Sequence, residues 1–160
     1  MKNKILSIVG LFIVILAGVY FGFFYKHTPQ TLAYRNSQYG FEIPLPDSWK
    51  GYQTEVAAWQ GTDVATGQVT QFGPKIILRD PQWTTQNPRE DMPVMVFTKA
   101  QWDLIEKQTL AVGAAPVPPS KLGENSKYII ALPARYNYDF KPGWEEVDQI
   151  IHQLTAFEPR

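Results

Sequence analysis

Three groups of charged and aromatic residues carry the chemistry this chain can offer. Arg79 and Asp80 close the apolar run "KIILR" (75–79). The segment "WTTQNPRED" (83–91) brings Trp83, Arg89, Glu90 and Asp91 to the start of the next apolar run. Arg135, Tyr136, Asn137 and Tyr138 follow the third. Guanidinium and carboxylate groups at strand ends and on long loops can hold a partner by ion pairing, while indole and phenol rings stack against it. The candidate binding residues are therefore Arg79, Asp80, Trp83, Arg89, Asp91, Arg135 and Tyr136. The same groups can instead fasten loops to one another, through pairs such as Arg79 with Asp91 or Arg135 with Asp80. A second functional class is a hydrolase or a carbohydrate-binding accessory protein. It needs two facing carboxylates in a cleft or free aromatic faces, and the chain has five tryptophans and eight tyrosines.

Other chemistry finds little support. The histidines are His27 and His152; the second lies four residues after Asp148 on the polar face of a predicted helix, as a surface pair does. No serine motif accompanies them, and the chain lacks HExxH, a Walker loop, GxGxxG and a calcium loop. "DVATG" has the wrong acidic spacing for calcium. The absence of cysteine removes disulfides, thiolate nucleophiles and zinc–thiolate sites. No catalytic residue, metal ligand or cofactor is assigned, and the chain is read as a non-enzyme. The first 26 residues hold three of the fifteen basic residues and no acid, leaving 12 basic against 15 acidic beyond them. A mildly acidic domain does not suit a nucleic-acid partner, which calls for a clustered basic face.

The elements that must position these groups follow from periodicity. "LAYRNSQYGFEIPL" reads as a hairpin turning at Asn36 and Ser37, with Phe41, Ile43 and Leu45 on one face. Pro44 cannot donate to a ladder, so its strand lies at an edge or where that side is free. Asp47 or Ser48 can cap a short turn that tucks Trp49 over the strand end. "YQTEVAAW" (52–59) alternates as a strand. "KIILR", "VMVF" (94–97) and "YIIAL" (128–132) are continuously apolar, as central strands covered on both faces are. Thr98 and Gln101 form a capping-box pattern ahead of a helix that turns Trp102 and Ile105 inward. A second helix is predicted over 142–157, with Trp144, Val147, Ile150, Ile151, Leu154 and Phe157 as its buried stripe. "APVPPSK" (115–121) reads as a rigid proline-rich loop.

Lys2 and Lys4 precede an uncharged run from Ile5 to Tyr25 that ends in aromatic residues. A bilayer core takes about 20 apolar residues in a helix, so the run predicts a single-pass signal anchor. The expected organisation is an anchor over 1–26, a short tether over 27–32 and a domain over 33–160 held outside the cytoplasm. The expected partners are the membrane, through that helix, and a protein of the membrane or envelope.

"YGFEIPLPDSW" resembles the opening hairpin of the PsbP/Mog1-like domains, in which an aromatic-Gly-Phe strand leads to Leu-Pro and then a tryptophan. "MPVMVFTKAQW" and "ALPARYNY" resemble segments of small bacterial membrane-anchored proteins. The resemblance implies an antiparallel sheet packed between helices. PsbP-type proteins are extrinsic subunits of a photosynthetic complex and Mog1 binds a small GTPase. No binding residue of either is matched here, so only the fold carries over. The expected class is α+β: an N-terminal transmembrane helix followed by a mostly antiparallel sandwich, serving binding or assembly.

Overall fold

The opening hairpin forms as its pattern requires. In the computed structural model, which describes residues 32–114 and 117–160, β1 (Ala33–Asn36) pairs with β2 (Phe41–Pro44) in antiparallel register, Ala33 against Pro44. The Asn36 side chain accepts the Tyr39 amide at 3.0 Å and closes the turn. β9 (Thr155–Ala156) joins on the other side of β2 but reaches only Glu42. Leu45 donates to Leu32 across β1, so alternation directs the nitrogen of Pro44 to the β9 side, past that strand's end. Proline is tolerated there because no donor is needed. Neither Asp47 nor Ser48 caps the 3-10 turn Asp47–Trp49. Ser48 instead donates to Glu146 at 2.6 Å, and Trp49 is buried.

A larger antiparallel sheet follows, in the order β6 (Leu110–Val112), β3 (Gln53–Asp63), β4 (Val69–Arg79), β5 (Met92–Thr98), β8 (Tyr128–Leu132), β7 (Ser120–Glu124). The three continuously apolar runs are its interior strands β4, β5 and β8. One face presents Ile76, Leu78, Val94, Val96, Ile130 and Leu132 to the small sheet and to α2 (Trp144–Ile151). The other face packs Trp59, Met95, Phe97 and Ile129 against Trp102 and Ile105 of α1 (Lys99–Glu106). The Thr98–Gln101 capping box opens α1 as the residue pattern predicts. Gly73 lies against the Trp59 indole, where a Cβ would come within 2.4 Å, so only glycine admits the ring. That ring donates to the Val96 carbonyl at 2.9 Å and packs 4.4 Å from Phe97, centroid to centroid.

The expected architecture is corrected. Strands take 41% of the described residues and helices 15%, and the helix-packed sandwich is not what forms. A second sheet provides most of the cover on one face, and each α-helix has only eight residues. The second helix stops at Ile151 rather than 157. Leu154 still points inward, but from a chain that has turned at His152–Gln153 to form β9. Helical spacing persisted because a strand returning over the same core buries residues on the same side. Trp144 is only half-buried, whereas Trp59 is buried in the core on the opposite face of the sheet. The anchor and tether residues 1–31 lie outside the described residues, as does His27. Among the described residues no helix is long and apolar enough to cross a membrane, so the membrane, transmembrane and signal-anchor assignments are withdrawn.

Candidate functional site

The long connection from β4 to β5 is built around one buried carboxylate. Asp80 is 4% exposed. Its Oδ1 accepts the Gln82 amide at 2.7 Å and its Oδ2 accepts Arg89 Nε at 2.7 Å. The Asp80 amide donates to Asp91, which in turn accepts Arg79 Nε at 3.3 Å. Arg79 also reaches Glu55 on β3 at 3.3 Å, and its guanidinium lies 4.4 Å above the Trp83 ring. Within the loop, Thr84 and Asn87 exchange backbone hydrogen bonds at 3.2 Å. The loop is ordered by its own polar groups, which is how a connection of this length can hold a shape.

The start of α2 completes the arrangement. Gly143 caps the helix with φ 92°, and a Cβ there would sit 3.0 Å from the Arg89 guanidinium and 3.4 Å from Asp80 Oδ2. Glycine thus lets the helix start press directly on the ion pair. The Glu90 amide donates to the Pro142 carbonyl at 3.1 Å. Glu90 itself is buried, and its Oε2 has no hydrogen-bond partner. Burial pushes its carboxyl above the usual glutamate range, with Lys141 pulling the other way. Burial likewise raises Asp91, opposed by the Asp80 amide and Arg79. Tyr136 donates to Asp148 of α2 at 2.8 Å; burial and that carboxylate hold its phenol well above the usual range.

Of the seven candidate residues, the structure joins Arg79, Asp80, Trp83, Arg89 and Asp91 into one network. Tyr136 is tied to α2 instead. Arg135 is exposed at φ 55° and does not pair with Asp80, whose partner is Arg89. Arg79 does pair with Asp91. Asp80, Asp91 and Glu55 each face a guanidinium or an amide; Glu90 is the carboxyl of this loop left with an unpartnered oxygen. Trp49, Trp59 and Trp102 are buried and Arg79 covers one face of Trp83; among the described residues the exposed aromatic rings are Phe72, Tyr138 and Phe140, none of which lines this network. His152 is exposed, its Nδ1 2.7 Å from the Asp148 carbonyl. Among the described residues no three His, Asp or Glu are grouped to hold a metal ion.

What the network lines is a cleft of 230 Å³ formed by Gly51, Gln53, Arg79, Asp80, Pro81 and Trp83. Gln53 begins β3, and β3 is the surface that residue-level reading missed. β6 covers only Gly61–Asp63, so among the described residues the outer edge of Gln53–Gln60 has no partner strand. Val64 donates to Thr109 on the β6 side and Asp63 to Gln68 on the β4 side. Alternation then turns the amides and carbonyls of Thr54, Val56, Ala58 and Gln60 outward along the open edge. Val56 is 70% exposed although its register partner Ile76 is buried, because the small sheet's cover ends between β4 and β3. The available signal was composition. Val56 and Trp59 are the only large apolar residues from 53 to 60, and they face opposite sides, too few to hold a cover. No family model, curated protein or solved structure matches the chain.

Proposed function

We propose that the domain is a binding and assembly module whose working surface is the open edge of β3, with the Arg79–Trp83 cleft at its start. The observation that carries this reading is the unpartnered run Gln53–Gln60, whose outward backbone groups have no strand beside them among the described residues. Edges of this length are normally shielded by proline, charged side chains or a bulge; Gln53–Gln60 contains no proline or lysine, and its one charge, Glu55, is paired with Arg79. An extended segment that adds to the edge gains main-chain hydrogen bonds. The cleft at Gln53 supplies a charged and aromatic end-stop for it. The Asp80–Arg89 pair holds this loop in shape, a positioning role.

Photo-crosslinking tests the reading. A photoreactive phenylalanine analogue replaces Ala58 on the edge or, as control, exposed Glu145 on α2, in the cells that make the protein. A discrete adduct from position 58, absent from position 145, is expected. No adduct at 58, or equal adducts at both positions, would overturn it.

A further inference from the structure

Resting on the reading of β3 as the docking edge, we propose that its occupant is β3 of a second copy. The two strands run antiparallel about a two-fold axis at Val56, and two six-stranded sheets join into one.

Geometry selects this register. Hydrogen-bonded pairs must match outward residues with outward residues: Thr54, Val56, Ala58 and Gln60. Val112 already lies beside Gly61, so an incoming strand cannot run past Gln60. An axis at Ala57 would drive Gln53 of the second copy into that position. An axis at Glu55 would leave Ala58 facing Tyr52, ahead of the strand. With the axis at Val56, the strands overlap from Gln53 to Trp59 and stop short of β6. Thr54 then faces Ala58 of the second copy and Val56 faces itself.

Side-chain chemistry agrees with the symmetry. Exposed Val56 meets its own copy on one face. On the other, Glu55 lies opposite Ala57 of the second copy, whose register partner on β4 is Lys75. Glu55 and that Lys75 are two strand spacings apart, about 10 Å between Cα atoms, while the two Glu55 lie diagonally across the axis, about 8 Å apart, so each Glu55 needs its Arg79 and the crossing Lys75 to offset the other's charge. Long side chains close the distance from Glu55 to Lys75. Lys75 has no carboxylate partner among the described residues, and Glu55, held on one side by Arg79, has a second side open. The two-fold axis makes this crossing twice.

Because the chain has no cysteine, single cysteines read the register directly. The full chain is held in mild detergent, in view of the uncharged run Ile5–Tyr25. Val56→Cys places two sulfurs on a hydrogen-bonded pair, about 5.5 Å between Cα atoms and within disulfide reach. Thr54→Cys and Gln60→Cys sit about 15 Å and 28 Å from their own copies and cannot bridge. We expect a disulfide dimer from position 56 alone and a sedimentation mass of twice the chain. Lys75→Glu should weaken association about three- to tenfold, and adding Glu55→Lys should restore it. A monomeric mass with no crosslink, or equal crosslinking at all three positions, would overturn the proposal. If Val56→Cys fails while the probe at Ala58 still captures a different protein, self-pairing falls and the binding reading stands. If both fail, both fall.

Discussion

Replacing Arg89 by alanine tests whether the β4–β5 loop is held as described. Asp80 is 4% exposed, and Arg89 Nε at 2.7 Å is its one charged partner among the described residues. Without the guanidinium, the carboxylate keeps a single backbone donor, Gln82, and stays buried. Losing one member of a buried pair costs about 3–5 kcal/mol. The Arg89 side chain is 19% exposed, so water can enter part of the vacated space. That places the expected loss near the lower end, about 3 kcal/mol. With a urea slope of about 1–3 kcal/mol per molar, the midpoint should fall by about 1–3 M. Tryptophan fluorescence through a urea titration measures it. Adding Asp80→Asn to the Arg89→Ala variant should recover part of the loss, because the stranded charge is gone. A loss under about 0.5 kcal/mol for Arg89→Ala, or simple additivity of the two changes, would refute the coupled buried pair.

Glu90→Gln should stabilise the protein at neutral pH. The folded state holds the Glu90 proton more tightly than the unfolded chain, so the wild type loses stability as pH rises through and above the usual glutamate value. The variant's advantage should be near zero at pH 4 and grow as the pH is raised to 8, and an advantage independent of pH would contradict the buried, unpartnered carboxylate. Gly143→Ala should cost more than Gly51→Ala in thermal unfolding. Both glycines have φ near +91°, but only at 143 would the new Cβ meet Arg89 and Asp80; Gly51 has open space around it. Backbone strain alone is about 1–2 kcal/mol, so an equal loss at both sites would show that α2 does not press on the ion pair.

Local pattern alone determined the hairpin about Asn36, the interior placement of β4, β5 and β8, and the capped start of α1. Each of these depends on neighbours in the chain or on how much of a strand is apolar. It also gathered Arg79, Asp80, Trp83, Arg89, Asp91, Arg135 and Tyr136 into one polar group, because charge clusters where strands end; the first five join, whereas Arg135 stands exposed and Tyr136 is tied to α2. Three things needed the tertiary structure. Asp80 chose Arg89 over Arg135 because α2, arriving through Gly143, closes over the nearer arginine. The final apolar stripe became a short helix and a strand because Phe41 and Glu42 had a free side for β9 to pair with. The exposure of β3 depended on where the small sheet ends; the sparse apolar content of Gln53–Gln60 hints at a missing cover, but the boundary itself is set by segments outside β3. Periodicity states which side chains share a face; what covers that face is settled by segments distant in the chain.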